Sequence, residues 1–245
     1  MNPFRFLWRL VRLLSHTLAG ISLSWRHGRS GTGAMPPAGP VMAWNRRLLE
    51  ILHVRLHCRG APPEGAALVV ANHVSWLDVP VLGACAPVAF LSKESIAHWP
   101  LIGWFARAAG TLFIRRGRGE AAQVARLLAE RLAEGRQVAL FPEGRIGDGH
   151  EVGRFFPRLF AAAIDSGAPV IPVALRYRYR GRPDDAVVYR SGRTFMGILF
   201  RILARPESEV EAVFCPPIPS KEKDRRTLAR EAEAAIQAVL AAASD

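Results

Sequence analysis

Apolar positions recur along this chain with two periods, about 3.6 residues in some stretches and about 2 in others, and each change of period marks a predicted boundary between helix and strand. Residues 4–25 follow the helical period, with Leu7, Val11, Leu14, Leu18, Ile21 and Trp25 on one side and Arg5, Arg9, Arg12 and His16 on the other. Residues 28–40 are rich in Gly and Pro with little to bury, which predicts a flexible linker. Beyond it, Trp44, Leu48, Leu49 and Leu52 set against Arg46, Arg47 and Glu50 predict a helix over 41–53. Short apolar runs predict strands at 54–58, 67–71, 88–91, 110–115, 137–141, 170–176 and 210–214. Between them, helices are expected at 76–84, capped by Ser75, and at 99–109, 120–134, 158–166 and 227–243. Val124, Leu127, Leu128 and Leu132 are the expected core positions of the helix that stops at Gly135. Strands alternating with helices predict an α/β fold, a central largely parallel or mixed sheet flanked by helices, preceded by an N-terminal amphipathic helix. The chain thus divides into a helix over 1–27, a linker over 28–40 and one domain over 41–245.

Charge narrows the class. Half the residues are hydrophobic, which excludes disorder for most of the chain, and 33 Lys and Arg against 21 Asp and Glu give a net charge of +12. Such an excess selects an anionic partner: a membrane surface, a charged substrate or nucleic acid. Nucleic acid is set aside, because the sequence has no helix-turn-helix or zinc pattern and no basic platform interleaved with aromatics. The uncharged run over 13–25 is shorter than the roughly 20 residues a spanning helix needs, so the first helix is expected to lie in an anionic membrane surface. Cys58, Cys85 and Cys215 are odd in number and widely spaced, which indicates neither a disulfide framework nor a zinc site and suits a reducing compartment.

Candidate chemistry collects where strands end. His73 and Asp78 are too far apart around a helix, about 140°, to share a face. They meet only if the chain turns between them, and the carboxylate then fixes the tautomer of a histidine able to act as a base. His73, Lys93, Arg115 and Glu143 each follow a predicted strand, and ligands of α/β sheets gather beyond the carboxyl ends of strands.

Four blocks, in order, carry a resemblance: Asn72-His-Val-Ser-Trp-Leu-Asp78, Gly110-Thr-Leu-Phe-Ile-Arg115, Phe141-Pro-Glu-Gly144 and Val170-Ile-Pro-Val-Ala174. Together they resemble the signature blocks of the glycerolipid acyltransferases, the 1-acylglycerol-3-phosphate acyltransferase family, over residues 42–220. The resemblance implies that His73 is the base, with Asp78 orienting it. It implies that Arg115 holds the anionic head group of the acceptor, with Lys93 adding charge and Arg116 and Arg118 assisting. Glu143 would organise the acceptor site, Gly144 would allow close backbone approach, and the fourth block would line the acyl pocket. Where that family continues with Thr and then Arg or Thr, this chain has Arg145, Ile146 and Gly147, so Arg145 is the candidate to supply the missing charge. The implied substrates are a lysolipid acceptor and an acyl thioester donor, acyl-CoA or acyl-carrier protein, acting as co-substrate. No cofactor or metal is implied, and the expected place is the cytoplasmic face of the cell membrane. The acceptor stays open between 1-acylglycerol-3-phosphate and a lyso-ornithine lipid, and a non-catalytic basic membrane-binding protein is the reading of another class.

Overall fold

The computed structural model describes residues 2–28, 38–114, 120–189 and 193–242. The chain begins with α1 (Pro3–Gly28) and α2 (Ala38–Leu52), then β1 (Val54–Arg59), β2 (Ala67–Ala71), α3 (Asp78–Cys85) and β3 (Val88–Lys93). It continues through α4 (Glu94–Ala97), α5 (Ile102–Ala108), β4 (Leu112–Ile114), α6 (Glu120–Ala133), β5 (Gln137–Leu140) and α7 (Ala161–Ser166). It ends with β6 (Val170–Tyr179), β7 (Arg182–Pro183), α8 (Phe195–Ala204), β8 (Ser208–Phe214) and α9 (Arg225–Ala241).

Among the described residues one eight-stranded sheet forms in the order β1-β8-β6-β2-β5-β3-β4, with β7 paired to β6. The run β6-β2-β5-β3-β4 is parallel throughout, whereas β8 and β7 pair with β6 antiparallel, so the sheet is mixed as expected. β2 is apolar at every position because both of its faces are covered. Val69 and Ala71 face a core built with α2, α3 and α8, while Leu68 and Val70 face one built with α6, α7 and α9. The alternating β8 directs Val210, Ala212 and Phe214 into the first core and turns Glu209, Glu211 and Val213 to its half-buried other face, where Val213 packs against the second core.

Several boundaries differ from expectation for physical reasons. α2 begins at Ala38, inside the expected linker, of which 29–37 lie outside the described residues. The helix expected over 99–109 is confined to Ile102–Ala108, since Leu101 takes a left-handed φ of 64° that helix geometry excludes. Helix 158–166 opens as a 3-10 turn over Pro157–Phe160 before α7. Leu127 is not a core position: it is 40% exposed. α8 was not foreseen, although Thr194 caps it by accepting from Gly197 N–H and Ile198, Leu199, Ile202 and Leu203 form its buried side.

The cysteines also correct the sequence reading. Cys58 near the end of edge strand β1 and Cys85 at the end of α3 form a disulfide, their Cα atoms 6.4 Å apart across a sequence separation of 27. Sheet topology, invisible in the spacing, juxtaposes them; Cys215 is free and buried.

α1 docks with its basic side inward. The Arg9 guanidinium, 1% exposed, donates to the carbonyls of Leu203, Arg205 and Pro206, and Arg5 donates to Ala204 O at 2.9 Å. Leu203 and Ala204 are the last residues of α8, whose carbonyls lack helical partners, and Arg205 and Pro206 follow directly. His16 stacks on Trp44 at 4.7 Å. Leu7, Val11, Leu14 and Leu18 of the apolar stripe, together with Phe4 and Trp8, therefore stand exposed, and the Trp25 side chain lies outside the described ones.

Candidate active site

Because β2 and β5 run side by side in parallel register, the segments leaving their carboxyl ends, 72–78 and 141–147, meet above the sheet. The first segment does not enter a helix at Ser75, as expected. α3 starts at Asp78, and the groups bound there are not capped by a hydroxyl. Instead Asp78 Oδ2 accepts from Val74 N–H at 2.7 Å and Ser75 N–H at 2.9 Å, and the buried Ser75 Oγ has no partner among the described residues. A charged acceptor reaching back over the turn outcompetes a neutral one.

That turn brings His73 and Asp78 together. His73 Nδ1 lies 2.7 Å from Asp78 Oδ2, and the other carboxylate oxygen accepts from Tyr177 O–H at 2.6 Å. Asp78 is 0% exposed, so its charge is tolerable only because both oxygens are hydrogen-bonded. A carboxylate only accepts, so Nδ1 donates and the lone pair of the neutral ring sits on Nε2. The His73 side chain is 20% exposed, and its ring stacks on Phe141, 4.0 Å between centroids and 13° from parallel. Burial first, and the Asp78 charge second, push the Tyr177 hydroxyl well above 10, which keeps it a donor.

Glu143, 4% exposed, stands beneath this corner. Its oxygens accept from His73 N–H at 3.0 Å and Gly153 N–H at 2.9 Å, and Gly147 N–H donates to His73 O at 2.6 Å. Burial raises the Glu143 carboxyl above its ordinary value, while the two N–H donors and the charges of His73 and Arg145 act against the rise. Glu143 therefore addresses protein amides and fixes the loop carrying His73. Gly144 takes a φ of 67°, and a Cβ there would stand 3.3 Å from the Phe156 ring. Arg145 is exposed beside it.

Lys93 closes β3 on the same rim, exposed, two strands from β2 and hence roughly 10 Å across. Its Cα partner is Ile114, the last residue of β4. Arg115, Arg116 and Arg118 lie outside the described residues. Val170 to Ala174 forms the first half of β6, buried between β2 and β8, and thus lies in the core beneath the rim.

Tyr177 and Gly153 escaped the sequence reading, and Asn72 entered the first block without a role. Asn72 ties the corner to β6, donating to Leu175 O at 3.0 Å and accepting from Leu175 N–H at 2.8 Å. No local signal marks Tyr177, which reads as one more strand residue.

The sequence profile of the family described as Acyltransferase matches residues 53–176. A lyso-ornithine lipid O-acyltransferase of Pseudomonas aeruginosa is 39% identical over 245 residues, covering 98% of this chain and 95% of that one. A 1-acyl-sn-glycerol-3-phosphate acyltransferase of Neisseria gonorrhoeae is 35% identical, covering 100% of this chain and 98% of its own. Among solved structures, the 1-acyl-sn-glycerophosphate acyltransferase of Thermotoga maritima superposes with a TM-score of 0.66 over 96% of this chain and 98% of that one, at 21% identity, a likeness of fold.

Proposed function

This chain belongs to the Acyltransferase family, and from that premise we propose that it moves an acyl group from acyl-CoA or acyl-carrier protein to the free hydroxyl of a lysolipid with His73 as general base. The observation that carries the reading is the 2.7 Å contact of Nδ1 with Asp78, which leaves Nε2 to meet a substrate hydroxyl. As the hydroxyl oxygen attacks the thioester carbonyl, its proton passes to Nε2 and Asp78 balances the imidazolium. The tetrahedral adduct expels the thiolate, the imidazolium returns the proton to sulfur, and one C–O bond has replaced one C–S bond. No covalent enzyme intermediate is needed.

For the acceptor we place a lyso-ornithine lipid ahead of 1-acylglycerol-3-phosphate. Two observations favour it: Arg145-Ile146-Gly147 departs from the family's usual continuation, and the Pseudomonas aeruginosa relative is named for that substrate. Arg145, Lys93 and Arg115 would offer positive charge to the acceptor's anionic group. The reaction takes place at the cytoplasmic face of the membrane, where both donors are found, with α1 lying in the surface. No described helix is long and apolar enough to cross a membrane, and the outward apolar stripe of α1 supports an in-plane position.

The test offers purified enzyme one labelled acyl donor and both acceptors. His73→Ala should lower the transfer rate by about 10²- to 10⁴-fold while the protein stays folded. A His73→Ala enzyme that works at the wild-type rate overturns the mechanism, and transfer to neither acceptor overturns the substrate assignment.

A further inference from the structure

The base proposed above consists of His73 and Asp78, and a third residue on a distant strand bonds to it. We propose that Tyr177 is a positioning residue of the acyl transfer, holding Asp78 through its hydroxyl so that Asp78 in turn holds the His73 imidazole with Nε2 toward the substrate. Three features of the geometry support this. The hydroxyl donates to Asp78 Oδ1 at 2.6 Å, and that oxygen is not the one that receives His73 Nδ1. The Tyr177 ring is buried in the core beside the site, 6% exposed, so the hydroxyl arrives from a rigid strand rather than a loop. Asn72, which precedes His73, is bonded in both directions to Leu175, two residues before Tyr177 on β6. β6 therefore grips the catalytic corner at two points, the side-chain amide of Asn72 and the carboxylate of Asp78.

The chemistry calls for such a group. During transfer the imidazole becomes positively charged and then neutral again, and a carboxylate free to swing would let the ring rotate between these states. With Oδ2 shared among His73, Val74 and Ser75, the Tyr177 donor on Oδ1 fixes the carboxylate plane. Tyr177 touches neither substrate nor reacting atoms and acts only through Asp78.

The inference rests on His73 being the base. Tyr177→Phe keeps the ring and removes the donor, and should lower kcat about tenfold or more while leaving the KM for both substrates unchanged. Asp78→Asn should lower kcat further, and Tyr177→Phe added to Asp78→Asn should cost nothing more, because the two act in one line. Unchanged kcat in Tyr177→Phe, or losses that multiply in the double variant, would overturn the proposal. So would a rise in KM with kcat unaffected, the mark of a loosened binding surface. Should Tyr177→Phe not fold, proton NMR of the wild-type protein decides. A slowly exchanging Tyr177 hydroxyl proton close to the His73 Nδ1 proton supports the proposal, and its absence overturns it. A rate that survives His73→Ala defeats the underlying function; a rate that needs His73 and ignores Tyr177 defeats this inference alone.

Discussion

Glu143 is a buried carboxylate whose two oxygens are spent on the backbone N–H groups of His73 and Gly153, so its ionisation is coupled to the fold around the base. Burial lifts its carboxyl above the ordinary 4.5, so above that pH the folded protein holds this proton more tightly than the unfolded chain. This residue's contribution to stability therefore declines as pH rises from 4.5 through the folded value and is flat beyond it. Denaturant unfolding measured across that range should show a downward slope in the wild type that is reduced in Glu143→Gln. The same residue marks the limit of reading a site from sequence. His73 and Asp78 could be paired from the letters because a turn was the one way to join them. Glu143 was legible as a member of the site but not as a brace for its backbone, because the direction of a side chain is set by packing. Tyr177 was not legible at all, standing 99 residues from its partner.

At the level of elements, α1 shows how an amphipathic pattern can be right about a helix and silent about its orientation. The basic stripe turns inward because the last carbonyls of α8, at Leu203 and Ala204, and those of Arg205 and Pro206 just beyond it take donors from long guanidinium side chains. Leu203, Arg205 and Pro206 share the Arg9 side chain, so Arg9→Met keeps bulk and removes every donor. The loss should be about 1–3 kcal/mol of stability, because buried carbonyls are left unpaired. Denaturant titration checks the magnitude, and α1 should become the first segment cleaved in limited proteolysis. Central strand β2 was legible from its apolar run because burial on both faces leaves it no polar position. α8 was not, since a short apolar run can be read as strand or helix until Thr194 is recognised as its cap.

At the scale of the whole molecule, Cys58 and Cys85 tie edge strand β1 to the end of α3 and close a loop with a sequence separation of 27. A chain-entropy estimate gives such a crosslink about 3–4 kcal/mol. Cys58→Ser, or reduction of the wild type, should lower the thermal midpoint, while the reduced wild type and the variant should melt together. Wherever the bond is kept reduced, the working stability is that of the reduced form. The site depends on the same large-scale arrangement: α3 begins with Asp78 and ends with Cys85, and Trp76 of the catalytic turn packs on Phe195 of α8, which α1 also contacts through Phe6 and Phe200. The chain from the base to the outer helix is thus continuous.

Arg9 makes the outward stripe unavoidable. A helix fastened by its charged side has nowhere to hide its greasy one, so without a bilayer the protein carries a sticky strip from Phe4 to Leu18. In plain buffer, copies should cluster, and light scattering should grow with concentration. Vesicles containing anionic lipid should disperse the clusters by occupying the strip, whereas Leu7→Asp with Leu14→Asp should stay single and leave the vesicles bare. Clusters that form equally well with both leucines replaced would assign the stickiness to another surface.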